Sequence, residues 1–156
     1  MTLPYTVKVR WVTSFLNVKF LKFLLKEEFI GISAEWNAQG RISLFQICGQ
    51  KTVYIIDLKK VAKNSKMNEL LTQIFANPKS IIIAFDLESY RTKFNEQYPN
   101  LTFINQAEKF IDVREYYSKV YDDKDNLQAI VRNLFEKAIC KAESNCNWNK
   151  RPLKKT

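Results

Sequence analysis

Residues 29–36 read F-I-G-I-S-A-E-W, an apolar run that ends in a single carboxylate, Glu35, followed by Trp36. A carboxylate delivered at a strand end can act as a proton acceptor or as a ligand to a metal. Hard divalent cations need several oxygen donors, preferably charged ones. Side chains two apart on a strand share a face. Two residues before Glu35, where a second carboxylate would complete a pair, the chain has Ser33. The residues to be placed are therefore one acid, one hydroxyl and one indole.

Composition narrows the chemistry. The chain has 156 residues, 46% hydrophobic and 26% charged, enough for one domain with a substantial core. Histidine is absent, which removes Ser-His and Cys-His nucleophile systems and His-containing zinc sites. The three cysteines, Cys48, Cys140 and Cys146, are an odd number without a signal-peptide pattern and make neither a disulfide framework nor a good zinc set. No apolar run approaches the ~20 residues that span a bilayer. These features lead to the expectation of a soluble intracellular protein with no membrane partner. The formal net charge of +9 favours anionic partners, nucleic acid first, although the lysines are scattered along the chain.

The hydrophobic pattern alternates between strand and helix periods. Residues 6–12 alternate as a strand. Ser14 is placed to cap a helix carrying Leu16, Phe20, Phe23 and Leu24 on one face. Strands are expected over 29–33, 41–47 and 52–56, joined by short turns containing Gly40 and Gly49, which makes an antiparallel meander. Met67, Leu70, Leu71, Ile74 and Phe75 share a helical face after a Ser65 cap, with Pro78 beyond the end. Residues 80–85 read as a buried parallel strand, followed by a helix from an Asp86 cap to about residue 94. A strand over 109–113 precedes a helix over 114–120. Leu127, Ile130, Val131, Leu134, Phe135 and Ala138 mark a last helix. Asp122, Asp123 and Asp125 fit a solvated turn better than a calcium loop. The expected fold class is α/β: a ribonuclease H-like mixed sheet, with an antiparallel meander plus parallel strands, flanked by helices.

Three stretches then carry a resemblance. They are G-I-S-A-E-W with R-I-S-L-F-Q-I and V-Y-I-I-D-L; I-I-I-A-F-D-L-E-S-Y-R-T-K-F; and F-I-D-V-R-E-Y-Y with L-Q-A-I-V-R-N-L-F and N-W-N-K-R-P-L. In this order they resemble the DEDD-type 3′-to-5′ exonuclease domain of RNase D and the Werner-type exonucleases, over nearly the whole of 1–156. That family implies two divalent metals, magnesium or manganese, held by four carboxylates. The first position falls on Ser33, the second on Glu35 and the third on Tyr90. The fourth, with a tyrosine four residues before it, would lie in a helix after R-P-L, beyond Thr156. One carboxylate cannot hold two metals, and a tyrosine stays protonated near neutral pH. Asp86 and Glu88 flank Tyr90, but Asp86 fits a cap better than a ligand; Asp57 and Asp112 match family positions outside the metal set and fit caps or turns.

The resemblance therefore implies a catalytically inactive exonuclease-like domain without resident cofactors. Its implied role is that of a protein-interaction adaptor in RNA metabolism, in small-RNA silencing and in the nucleus or cytoplasmic RNA granules, because degenerate relatives work there. Single-stranded RNA and a second copy of the chain are further candidate partners. For RNA the candidate contacts are Trp36, which could stack a base but fits a half-buried ring better, and the basic tail of Lys150, Arg151, Lys154 and Lys155. Two alternatives stay open: a metal-dependent exonuclease with an unusual site, and a plain single-stranded RNA-binding module.

Overall fold

Alternation of apolar and polar residues, broken by short turns, builds most of the sheet. The computed structural model describes residues 7–121, 126–139, 148 and 150. The strands are β1 (Lys8–Val12), β2 (Phe29–Trp36), β3 (Ile42–Cys48), β4 (Thr52–Asp57), β5 (Ile81–Ala84) and β6 (Phe110–Asp112). They form one sheet in the order β1-β4-β3-β2-β5-β6. β2, β3 and β4 are the expected antiparallel meander, while β1 on β4, β5 on β2 and β6 on β5 pair in parallel. Only β3 runs against the rest, so the other five strands all end at one edge. The β2–β3 turn closes on Asn37, whose side-chain oxygen accepts the N–H groups of Gln39 and Arg41, both at 2.9 Å. Gly40 supplies the positive φ of 70° that this turn needs.

The helices are α1 (Phe15–Val18), α2 (Leu58–Val61), α3 (Ser65–Phe75), α4 (Leu87–Gln97), α5 (Val113–Tyr121) and α6 (Leu127–Phe135). Four aromatic rings, Phe45, Phe75, Phe94 and Phe103, meet edge-on or tilted and bring β3, α3, α4 and a 3-10 turn at Thr102–Asn105 into one core. That 3-10 turn and α2 carry too short a pattern to be seen in the sequence.

Several local expectations are corrected. α1 runs into a 3-10 helix at Lys19–Lys26, and three residues per turn align Val18, Leu21 and Leu24 into the core. Leu16 and Phe23, which an α-helical period would have placed on the buried face with Leu24, are exposed. The Ser14 hydroxyl donates to Asn17 Oδ1 at 2.8 Å and caps no backbone N–H. The cap of α3 is Asn64, which accepts the Met67 N–H at 3.1 Å; Ser65 is already helical. α6 stops at Phe135 because Glu136 turns left-handed, so Ala138 lies beyond it. Among the described residues no helix is long and apolar enough to cross a membrane.

Asp86 does not cap α4 with its side chain. It stands at the start of that helix with φ 66°, and its carboxylate pairs with Arg114 at 2.8 Å. The capping group is Asp112, at the end of β6. Its carboxylate accepts the N–H of Leu87 at 2.6 Å and of Asp86 at 3.2 Å, and also those of Arg114 at 2.9 Å and Glu115 at 3.5 Å in α5. One buried carboxylate thus holds the first turns of two helices, where the N–H groups and the helix dipole favour negative charge.

Asp112→Ala is expected to cost ~2–4 kcal/mol, the loss of two caps with N–H groups left unpaired. Asp112→Asn should cost less, since its amide oxygen still accepts. Urea unfolding midpoints measure both; a loss under ~1 kcal/mol for the alanine variant would show that other groups take over the cap.

Candidate active site

The strand period sorts β2 into two faces. Ile30, Ile32 and Ala34 are buried in the core, while Gly31, Ser33 and Glu35 are half-buried on the other side. The hairpin register sets Gln46 of β3 opposite Ser33 and Leu44 opposite Glu35. Gln46 Nε2 reaches diagonally to donate to Glu35 Oε1 at 3.4 Å. A bulge between Glu35 and Trp36 breaks the alternation there.

Helix α4, fixed at its start by Asp112, supplies Tyr90. The Tyr90 hydroxyl faces the Ser33 side chain and the backbone of Ala34. Its ring lies parallel to that of Trp36, at 9° with centroids 6.0 Å apart. The structure therefore brings Ser33, Glu35, Trp36 and Tyr90 together at the carboxyl end of β2. Trp36 is half-buried, and one of its faces looks onto Tyr90.

Electrostatics at this cluster disfavour ionisation. Burial pushes the Glu35 carboxyl above its ordinary range, partly opposed by the Gln46 hydrogen bond. Burial likewise raises the Tyr90 phenol, and the charges of Asp86 and Glu35 push it further up, against the lowering influence of Ser33 and Ala34. A cavity of about 340 Å³ opens beside the cluster, lined among others by Ser33, Gln46, Cys48, Phe85, Tyr90 and Leu127.

The donor set can be tested against a pair of divalent cations. It offers one carboxylate and two neutral hydroxyls that face each other. Asp86 is held by Arg114, and Glu88 points outward to an Arg91 contact at 3.8 Å. Among the described residues no three His, Cys, Asp or Glu side chains gather as a metal group. These residues do not fit a two-metal site.

Lys150 is exposed and Trp148 half-buried. Arg151, Lys154 and Lys155 lie outside the described residues, as do Cys140, Cys146 and the acids Asp122, Asp123 and Asp125. What sequence reasoning missed is the set of contacts: Asp112 as the double cap, Gln46 as the partner of Glu35, and the Trp36–Tyr90 stack. The Gln46 contact had a signal, because the β2–β3 turn length fixes which β3 residues face Ser33 and Glu35.

A six-stranded mixed sheet with one reversed strand, helices around it and a strand-end acid facing a helix defines a ribonuclease H-like nuclease fold. A profile of the 3′-5′ exonuclease family matches residues 12–156, and the chain belongs to that family. No curated protein sequence matches it. Among solved structures, the Nibbler EXO domain of Aedes aegypti superposes with a TM-score of 0.85 at 20% identity, over 99% of this chain and 81% of that one. The catalytic core of RRP6 from Trypanosoma brucei gives 0.80 at 18% identity, over 98% and 42%. Escherichia coli RNase D, an exoribonuclease involved in structured RNA processing, gives 0.78 at 14%, over 95% and 39%. At these identities the likeness is one of fold, and the chain spans less than half of the last two.

Because the folded-state carboxyl of Glu35 titrates above its unfolded value, its contribution to stability is present at low pH and lost as pH rises through the folded value. Glu35→Gln keeps an oxygen for Gln46 and should raise the melting temperature at pH 7 by about 1–3 °C, a gain that vanishes near pH 4. Thermal melts across pH check this; a lower melting temperature at pH 7 would show that the ionised carboxylate stabilises the fold.

Proposed function

We propose that this chain is a catalytically inactive 3′-5′ exonuclease-like domain that serves as a protein-interaction adaptor in RNA metabolism. Family resemblance suggests small-RNA silencing as the setting and the nucleus or cytoplasmic RNA granules as the place. The observation that carries the reading is the placing of Ser33 and Tyr90 together beside Glu35 at the end of β2. Two positions that the family pattern assigns to metal-binding carboxylates are here a serine and a tyrosine. Beside them Glu35 sits where burial disfavours its charge. Function resides in sites and not in folds, so the fold alone does not argue for cleavage.

The adaptor side rests on the last two helices. Tyr116, Val120 and Tyr121 of α5 and Leu134 and Phe135 of α6 are exposed. α5 and α6 are joined by the Asn133 amide, which donates to the Tyr117 hydroxyl at 3.1 Å. Exposed apolar side chains gathered on neighbouring helices suit a protein partner or a second copy of the chain. They sit next to the cavity, which Val113 at the start of α5 and Leu127 at the start of α6 help to line. Contact with single-stranded RNA is secondary in this reading, through Trp36, Lys150, Arg151, Lys154 and Lys155.

The full chain incubated with 5′-labelled single-stranded RNA and manganese is expected to leave it intact, and calorimetric titration with manganese to show no saturable binding. Trimming that disappears in Glu35→Ala would overturn inactivity. Affinity purification of the tagged chain should recover a stable partner that Tyr121→Glu with Phe135→Glu releases. A monomeric chain that recovers none would end the adaptor reading.

A further inference from the structure

The positive charge has an address. Residues 8–26 and 59–66 hold nine of the 25 Lys and Arg residues and none of the 16 Asp and Glu residues, leaving sixteen of each sign elsewhere. The whole formal net charge of +9 therefore belongs to these two stretches. The fold puts them side by side. β1 and β4 are parallel neighbours, so α1 and α2, which follow them, leave the sheet at the same end. α3 then packs against α1 and the Lys19–Lys26 3-10 helix.

Aromatic rings are set among these cations. Phe15 and Phe23 are exposed, with Lys66 Nζ 5.1 Å from the first ring centroid and Lys22 Nζ 5.9 Å from the second. Arg10 and Lys19 lie 4.7 and 5.7 Å from the Phe20 ring. The ion pairs among the described residues use Arg91, Lys93, Arg114 and Lys119, none of them on this surface.

From these placements we infer that the surface formed by α1, the 3-10 helix, α2 and the start of α3 binds single-stranded nucleic acid. Unpaired lysines meet the phosphates, and Phe15 and Phe23 give flat faces on which any base can stack. A lipid surface suits it less. Val18, Leu21 and Leu24 are spent on the core, and what remains outside, Phe15, Leu16 and Phe23, is interspersed with Lys19, Lys22 and Lys26, without the broad apolar face that membrane insertion needs. The surface is separate from the Ser33–Tyr90 cluster, so the inference stands whether or not that cluster cleaves.

The test uses the full chain and a fluorescein-labelled oligouridylate of about twelve nucleotides, with anisotropy read across a salt series. Lys22→Gln, Lys63→Gln and Lys66→Gln together should weaken binding at least tenfold and lower the salt slope by about two. Phe15→Ala with Phe23→Ala should weaken it at least about fivefold and leave the slope unchanged. Lys51→Gln, Lys79→Gln and Lys109→Gln, at the opposite end of the sheet, should change little. Equal losses from the two lysine sets would overturn the inference in favour of generic charge attraction. So would unchanged binding in the phenylalanine variant, or phosphatidylserine vesicles that capture the chain against excess oligonucleotide. Circular dichroism melts confirm that the variants compared are folded.

Discussion

The Asp112 carboxylate is the point on which the second half of the molecule turns. Four backbone N–H groups from the starts of two helices converge on it, and it is itself buried at the end of the short strand β6. Removing those N–H groups from water is tolerable only because an anion accepts them, and burying the anion is tolerable only because they are there. The mutual dependence fixes the direction in which α4 leaves the sheet. It also explains the left-handed Asp86: the chain must bend sharply after β5 for Leu87 to reach Asp112. The strained residue is secured in turn by the Arg114 contact.

Tyr90 inherits its position from that arrangement. It lies one turn into α4, far enough for its hydroxyl to reach β2 and meet Ser33. Several carboxylates gathered at such a strand end repel one another unless cations neutralise them. Two neutral hydroxyls facing each other carry no such cost, and a stacked indole covers the phenol ring. On the proposed reading, a cluster freed from holding metals has settled into contacts that favour stability, the expected direction once activity no longer demands a strained, charged site. Glu35 keeps a residue of the older tension, half-buried with only an amide for company.

Most of the sheet was legible because its signals are local. Apolar runs bounded by Gly40 and Gly49 give three strands, and hairpin length gives their register. The run at 80–85 could only be a buried strand once a helix pattern lay on either side. What was not legible depended on tertiary contacts or on a change of period. The 18–24 segment contains apolar residues that fit both three and 3.6 per turn; only packing, against α3 among others, chooses between them, and it keeps Phe20 against the core while turning Phe23 outward. Adjacent polar residues, such as Asn64 and Ser65, are equal candidates for a cap until the first helical N–H is placed. Asp112 is the sharpest case. Its own helix is adjacent in sequence and was readable as capping, while α4 begins 25 residues earlier and is reached only through the parallel pairing of β5 and β6. At the site, residue types at the motif positions were visible, but the approach of Tyr90 to Ser33 and Trp36 belongs to the fold.

Charge placement follows from the same division of labour. In a metal-dependent nuclease, bound cations supply the attraction for the phosphate at the reacting end. On the proposed reading, a cluster with one carboxylate and no bound cation offers a phosphate only hydroxyl and amide donors. Affinity for a polyanion must then come from lysine and arginine placed elsewhere. The nine cations that make up its excess lie on β1, the 3-10 helix, α2, the turn after it and the first turn of α3, beside the line of Val18, Leu21 and Leu24 that faces the core. Lysines on a rigid helical support lose less freedom on meeting a strand than lysines on a tail. On the proposed reading, a domain without a two-metal cleft keeps contact with nucleic acid through a different surface, which leaves the apolar side chains of α5 and α6 for a partner protein.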